Sequence, residues 1–338
     1  MKPLNIYPKR DEFINGVSVR RIPEGVLPVM LAALPHLADH VDRHRYVRSD
    51  VLLDALRLLP SGKVRPLLGT STKVELSLGV GVRSPVLYAA AADLSGFNMC
   101  PWATDSCKPL CLRNHGRLIF TLNELAQVSK TWYRHFFWDR YLTQLDREIE
   151  KLKRRCRKEG SIPAVRLDGT TETGDALILA KRHPDVVFYD YCKRSLMTVL
   201  RMAGIKDRTA RRHLIMTGTA RGVLPANVHL TFSVSEHPKA WDWADEYLSN
   251  GLGAAVVIRG EDGTKESARE TVRGVLEAGM LNGHHVCDGD AHDARFLDGT
   301  VGGVGKLALL YAKGPRAPKD ERGFAKRVRF SEGYAHAA

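Results

Sequence analysis

Ile162-Pro163-Ala164-Val165-Arg166-Leu167, closed by Asp168-Gly169-Thr170-Thr171-Glu172, is a short apolar run that ends in a polar turn. The pattern fits a buried strand delivering polar side chains at its carboxyl end. The same unit recurs. Val186–Tyr189 precedes Asp190-Tyr191-Cys192-Lys193, and Val228–Phe232 precedes Ser233-Val234-Ser235-Glu236. Ala254–Ile258 precedes Arg259, and His284–Cys287 precedes the stretch Asp288–Arg295. Helical segments are expected between them at Asp175–Arg182, Ser195–Met202, Lys239–Leu248 and Lys265–Ala278, with a last strand at Lys306–Tyr311. Strands alternating with helices build a parallel sheet with right-handed crossovers. With the apolar run Pro85–Ala92 upstream, about seven strands are expected. That number predicts an α/β protein with a parallel β/α barrel of the TIM type, complete or partial.

Upstream, Pro85–Ala92 leads into Asn98-Met99-Cys100-Pro101-Trp102-Ala103-Thr104-Asp105-Ser106-Cys107-Lys108-Pro109-Leu110-Cys111, which holds three of the six cysteines. Thiolates this close together bind zinc or an iron–sulfur cluster. The competing explanation is small buried hydrophobes or a redox pair. The spacing C-x6-C-x3-C matches neither a zinc ribbon nor the C-x3-C-x2-C of radical enzymes. Before it, Val74, Leu76 and Leu78 alternate as in a strand, and Gly79-Val80-Gly81-Val82 marks a turn. After it, one long helix is expected from Leu122 to Lys158, with Trp132, Tyr133, Phe136, Phe137 and Trp138 as core packing. Its cationic end, Lys151–Lys158, suits either a helix carboxyl terminus or contact with DNA. Residues 1–68 form a basic extension with a helix at Ser49–Leu59, residues 69–314 the barrel, and residues 315–338 a loose basic tail.

The chain has 338 residues, with 51 Lys and Arg against 38 Asp and Glu, a formal charge of +13. A balance of that sign points to a polyanionic partner, with nucleic acid the default. No apolar run is long enough to span a membrane, and the first residues lack the apolar core of a signal peptide, so a cytoplasmic location is expected. Six cysteines in so long a chain argue against a disulfide scaffold.

In a β/α barrel the reactive groups come from the carboxyl ends of several strands. Those ends offer Cys100, Cys107 and Cys111 as metal ligands, and Asp168, Asp190, Asp288 and Asp290 as candidate catalytic carboxylates. Glu172, Ser233, Glu236, Arg259 and Arg295 are candidate substrate contacts. Converging carboxylates suit chemistry on a nucleoside. One can attack the anomeric carbon, and another can accept hydrogen bonds from the N–H groups of a guanine edge. A base in a duplex must first be exposed.

The strings Asn98-Met99-Cys100-Pro101…Cys107…Cys111, Arg166-Leu167-Asp168-Gly169-Thr170, Phe188-Tyr189-Asp190-Tyr191 and Asp288-Gly289-Asp290…Asp293…Arg295-Phe296 resemble bacteriophage DNA-guanine transglycosylases, distant relatives of tRNA-guanine transglycosylases. The resemblance covers about Gly69 to Gly314. It implies a barrel, zinc, and exchange of guanine in DNA for a 7-deazaguanine such as preQ0, protecting phage DNA from host restriction. It implies a late nucleophile, Asp288 or Asp290, with Asp168 and Asp190 for base recognition or acid–base work. The chain departs from the tRNA enzymes in carrying its cysteines early. Three cysteines after a first barrel strand is also the layout of radical S-adenosylmethionine enzymes, which hold a 4Fe–4S cluster there. A third reading is a DNA-binding protein with a structural metal, which the acidic strand ends oppose because carboxylates repel phosphates.

Overall fold

The computed structural model describes residues 12–59, 61–114, 116–313, 316–331 and 334–337. Its centre is a nine-stranded sheet. Eight of the nine strands run parallel, seven of them in one continuous row: β1 (Val82–Arg83), β2 (Ile162–Val165), β3 (Val187–Cys192), β4 (Val228–Ser233), β5 (Gly253–Ile258), β6 (His284–Asp288) and β7 (Leu307–Tyr311). Their spatial order is β1-β2-β3-β4-β5-β7-β6, so the last strand in sequence inserts between its two predecessors. Met280–Leu281 pairs antiparallel with β6, and β8 (Ala325–Lys326) runs parallel beside the carboxyl half of β5. Among the described residues no ladder joins β1 to β6. The fold is therefore α/β with a large, mostly parallel sheet.

Strand alternation sorts the side chains onto two faces. Val165, Leu167, Phe188, Leu230, Phe232, Val256 and Leu309 join one large core with helix residues such as Tyr141, Leu145, Val199, Tyr247 and Val275. The opposite face is smaller and more polar. Val82, Ala164 and Tyr189 pack there against Ala294, with Val187 and Phe296 alongside. Half of that face is thus covered by the loop after β6, and the carboxyl half is left open.

The edge strand bends at Ser84-Pro85 and continues as Val86–Leu87, where Leu87 N–H donates to Arg166 O at 2.8 Å and Gly169 N–H to Leu87 O at 3.1 Å. A Cβ at Gly169 would lie 2.5 Å from the Val86 side chain, so this close approach requires glycine. The strand expected over Pro85–Ala92 is accordingly shortened: beyond Leu87 the chain leaves the ladder and enters the cysteine loop. Thr72–Leu76 is a helix, not a strand, because the Ser71 hydroxyl caps it by accepting from Val74 N–H at 3.4 Å.

The long helical segment is two helices, α1 (Thr121–Phe136) and α2 (Trp138–Glu159), broken at Phe137 with φ −136° and ψ 53°. The bend lets Trp132, Tyr133, Phe136 and Phe137 all stay buried. Gly160, at φ 67°, terminates α2 in the left-handed conformation. The cationic end of α2 runs into the amino end of β2, away from the strand carboxyl ends. There Arg155 pairs with Glu159 at 2.8 Å and Arg83 with Glu159 at 2.6 Å. Cations at this position are favoured by the helix carboxyl terminus.

The extension holds a three-stranded antiparallel sheet, Glu12–Ile14, Val17–Arg21 and Tyr46–Arg48, whose first hairpin turns at Asn15-Gly16 with φ 50° and 75°. The helix there spans Ser49–Arg57 and buries Leu52, Leu53 and Leu56. These leucines, with Ile22, Met30 and Leu37, belong to the same core as Trp132 and Phe136, so the extension is packed onto α1. The tail is not loose over its described part. Beyond β8, Val328–Ser331 and Tyr334–Ala337 form a hairpin that buries Val328, Ala335 and Ala337. Asp320 organises the approach, accepting from Arg322 N–H at 3.0 Å and Ala325 N–H at 2.8 Å.

Candidate active site

The carboxyl ends of β2, β3, β4, β5 and β7, with the loops after β1 and β6, enclose a cavity of about 260 Å³. Cys100, Cys107 and Cys111 all line it. So do Glu172 and Ser233 among the expected substrate contacts, and Asp168 and Asp290 among the expected carboxylates. The remaining candidates lie elsewhere.

Asp190 occupies the wrong parity of β3. Tyr189 and Tyr191 take the open face, so Asp190 points toward the helices. There its Oδ1 accepts Asp168 N–H at 2.7 Å, while Oδ2 is buried with no protein partner. Burial and the nearby Asp168 carboxylate hold Asp190 well above the usual carboxylate range. Asp288 is solvent-exposed and outside the cavity, its Oδ1 accepting Asp290 N–H at 2.7 Å. Arg295 is sealed into its own loop, with Nη2 donating to His292 O at 2.6 Å and Nη1 3.4 Å from Asp298 Oδ2. Arg259 follows β5 and its N–H donates to Lys326 O at 2.9 Å, so β8 covers it. Glu236 clamps the cysteine loop, Oε1 accepting Ser106 N–H at 2.9 Å and Oε2 the Thr104 hydroxyl at 2.8 Å.

Asp168 lines the cavity, but its carboxylate is committed. Oδ1 accepts the hydroxyls of Thr171 at 2.7 Å and Thr173 at 2.8 Å, and Oδ2 accepts Thr173 N–H and Gly174 N–H, each at 2.9 Å. It shapes the loop Gly169–Gly174. Two other carboxylates carry more chemistry. Asp290 Oδ1 lies 2.5 Å from Lys313 Nζ and its Oδ2 accepts Tyr311 N–H at 3.0 Å. Asp293, nearly sealed, places Oδ2 3.2 Å from Arg166 Nη1 and 3.1 Å from the Tyr189 hydroxyl. Glu172 accepts Lys193 N–H at 2.6 Å, and burial raises its pKa, an effect that Arg194 and Lys193 only partly offset.

The cysteines surround Lys193, which also lines the cavity. Burial pushes the Cys100 thiol up to about 12 and raises Cys111 as well. Cys100 Sγ is turned onto backbone groups, accepting Ala92 N–H at 3.3 Å and lying 3.5 Å from Thr170 O. Among the described residues no three His, Cys, Asp or Glu side chains already stand as a ligand group. The three thiols, soft donors of the kind that hold metals, line one cavity together with Lys193.

The arrangement also recruits residues absent from the candidates read in the sequence. Arg166, Tyr191 and Lys193 follow from counting by two along β2 and β3 from Ala164 and Tyr189, and Arg166 stacks over Tyr191 with its Cζ 4.7 Å from the ring centre. Asp293 sits inside a stretch already notable for its charges. Lys313 and Phe324 come from a segment that carries no motif, and only the fold places them at the mouth. No curated protein and no solved structure matches the chain. The sequence model of the family described as Gene product 88 matches residues 67–328, which include the whole parallel sheet and every residue of this cavity, so the chain belongs to the Gene product 88 family.

Proposed function

We propose that the cavity is the active site of a phage enzyme that exchanges guanine in DNA for a 7-deazaguanine base. The observation that carries this reading is the pairing of opposite carboxylate environments within one purine-sized, aromatic-lined pocket. Asp290 is ion-paired with Lys313, whereas Glu172 has its acid form favoured by burial. Environments that separate two carboxyl groups in this way divide the roles of nucleophile and acid. Asp290 bonds to the sugar anomeric carbon as the bond to guanine breaks, and the leaving base takes the electron pair and a proton from Glu172. The incoming base reverses both steps, losing its proton to Glu172 and releasing Asp290. Tyr191, Tyr311 and Phe324 offer faces for the base.

A second reading is favoured by one specific observation: the three thiols line the reaction cavity itself and not a remote structural site. In that reading Cys100, Cys107 and Cys111 would hold an iron–sulfur cluster, which supplies one-electron chemistry to S-adenosylmethionine when bound, acting on a nucleobase or nucleic acid. In the first reading the same thiols would hold zinc, which supplies positive charge. Metal content and visible absorbance of protein purified without oxygen separate the two. Zinc in a colourless sample, together with uptake of labelled 7-deazaguanine into DNA, supports base exchange. Iron and sulfide in a brown sample, with no uptake, overturns it.

A further inference from the structure

Starting at Leu112, which lines the cavity, the chain presents apolar side chains that the fold does not bury. Leu112, Ile119, Phe120 and Leu122 are 50%, 54%, 59% and 78% exposed, and Leu112 also lines the cavity. They are carried on two short turns, Leu112–Asn114 and Gly116–Ile119, and on the first turn of α1. Side-chain amides brace this backbone. Asn114 Nδ2 donates to the carbonyls of Lys108 and Pro109, each at 3.1 Å. Asn123 Nδ2 donates to Arg117 O at 2.6 Å, and Gln127 Nε2 to Leu118 O at 3.2 Å. Exposed cations, Lys108 and Arg117, interleave with the apolar groups.

Large apolar side chains left exposed together, on elements that contact one another, mark an interaction site. Flanking cations select a polyanion, and a stiff apolar projection among phosphate-binding groups is the form taken by side chains that enter a base stack and unstack it. The cavity needs such a step, since a base stacked in a duplex cannot reach it. We propose that Phe120 and Leu122 are a wedge that enters duplex DNA beside the target nucleotide, with Lys108 and Arg117 on the flanking phosphates. The inference rests on the reading of the cavity as a nucleobase site.

The test uses the full chain and duplexes carrying 2-aminopurine, whose fluorescence rises when it unstacks. The wild-type protein brightens the probe on binding. Phe120→Ala/Leu122→Ala, altered only at exposed positions, keeps its melting temperature and the salt dependence of duplex binding. Its brightening falls about tenfold, as expected when the group that offsets unstacking is removed. Phe120→Trp retains the brightening. Equal brightening by the double variant overturns the wedge and leaves the proposed function standing. A dimeric wild type that becomes monomeric in the double variant, with brightening unchanged, assigns the patch to a second copy and also overturns it. A wild-type chain that binds no duplex at all overturns both the wedge and the reading of the cavity.

Discussion

Arg166 and Asp293 meet at the base of the cavity with Nη1 and Oδ2 3.2 Å apart, their side chains only 9% and 3% exposed. The contact ties the carboxyl end of β2 to the loop after β6, and Tyr189 extends it through Asp293 to Ser84 at 2.9 Å. Burial is the largest single effect and disfavours the Arg166 charge, but Asp293 together with Tyr191, Tyr189 and Tyr88 outweighs it and raises the guanidinium above its ordinary range. Two buried charges depend on each other: removing one leaves the other uncompensated.

Asp293→Ala is therefore expected to destabilise the chain by about 3–5 kcal/mol, the cost of stranding a buried partner. Arg166→Met/Asp293→Leu, which removes both charges, recovers most of that loss. Urea unfolding midpoints with an unchanged m-value measure both. A single variant no less stable than the double would show that the pair is not coupled.

His229, on the open face of β4 with its ring centre 5.6 Å from that of Phe296, has its pKa lowered to about 4 by burial and by Arg221. Between pH 4 and 6.5 the unfolded chain binds the extra proton, so stability rises with pH across that window. Acidification from 6.5 to 4 should remove about 2 kcal/mol, a figure discounted for partial exposure. His229→Phe should flatten this acid limb, and thermal melts across that range read it directly. An unchanged slope would locate the acid sensitivity elsewhere.

The strands were legible because burial on both faces demands apolar runs such as Val228–Phe232 and Ala254–Ile258. Their order was not, since nothing in Leu307–Tyr311 says that it inserts between β5 and β6. Thr72–Leu78 misled because Val74, Leu76 and Leu78 alternate as in a strand, yet the segment is helical with Leu76 and Leu78 exposed, and the deciding feature was a single serine cap. At the site, the gathering of Cys100, Cys107, Cys111, Glu172 and Asp290 followed from strand-end logic. Asp190 required parity, which one residue of register decides. Asp168 required knowing that its own loop would saturate it. A carboxylate's availability is a property of its hydrogen-bond partners, and sequence does not record those.

Glu236 holds both Thr104 and Ser106, the residues between the first and second cysteines of the loop. Its role is to fix the loop that would present the thiols. Glu236→Ala is expected to weaken metal retention by about 10–100-fold, the range for losing a group that orients ligands. Glu236→Gln, which still offers an oxygen to Ser106 N–H, should fall between. Competition with a chelator measures the affinity, and equal retention in all three proteins would separate the clamp from the thiols.

Asp288 and Asp290 are two residues apart, yet the turn between them sends one to solvent and the other into the cavity beside Lys313. Asp288 serves mainly as a turn residue, accepting Asp290 N–H, so Asp288→Asn should keep the turn and most of the activity. Asp290→Asn keeps the hydrogen bond from Tyr311 N–H through its amide oxygen but loses the anion that Lys313 pairs with. Base exchange should then fall by at least about 10³-fold, as for loss of a nucleophile. The same variant should fail to trap a covalent DNA adduct when the incoming base is withheld. Gel-shifted adduct under denaturing conditions is the decisive readout, because a merely structural Asp290 would slow exchange without abolishing the adduct. An adduct that persists in Asp290→Asn and disappears in Asp293→Asn would move the nucleophile one turn further along the loop, onto the carboxylate now paired with Arg166.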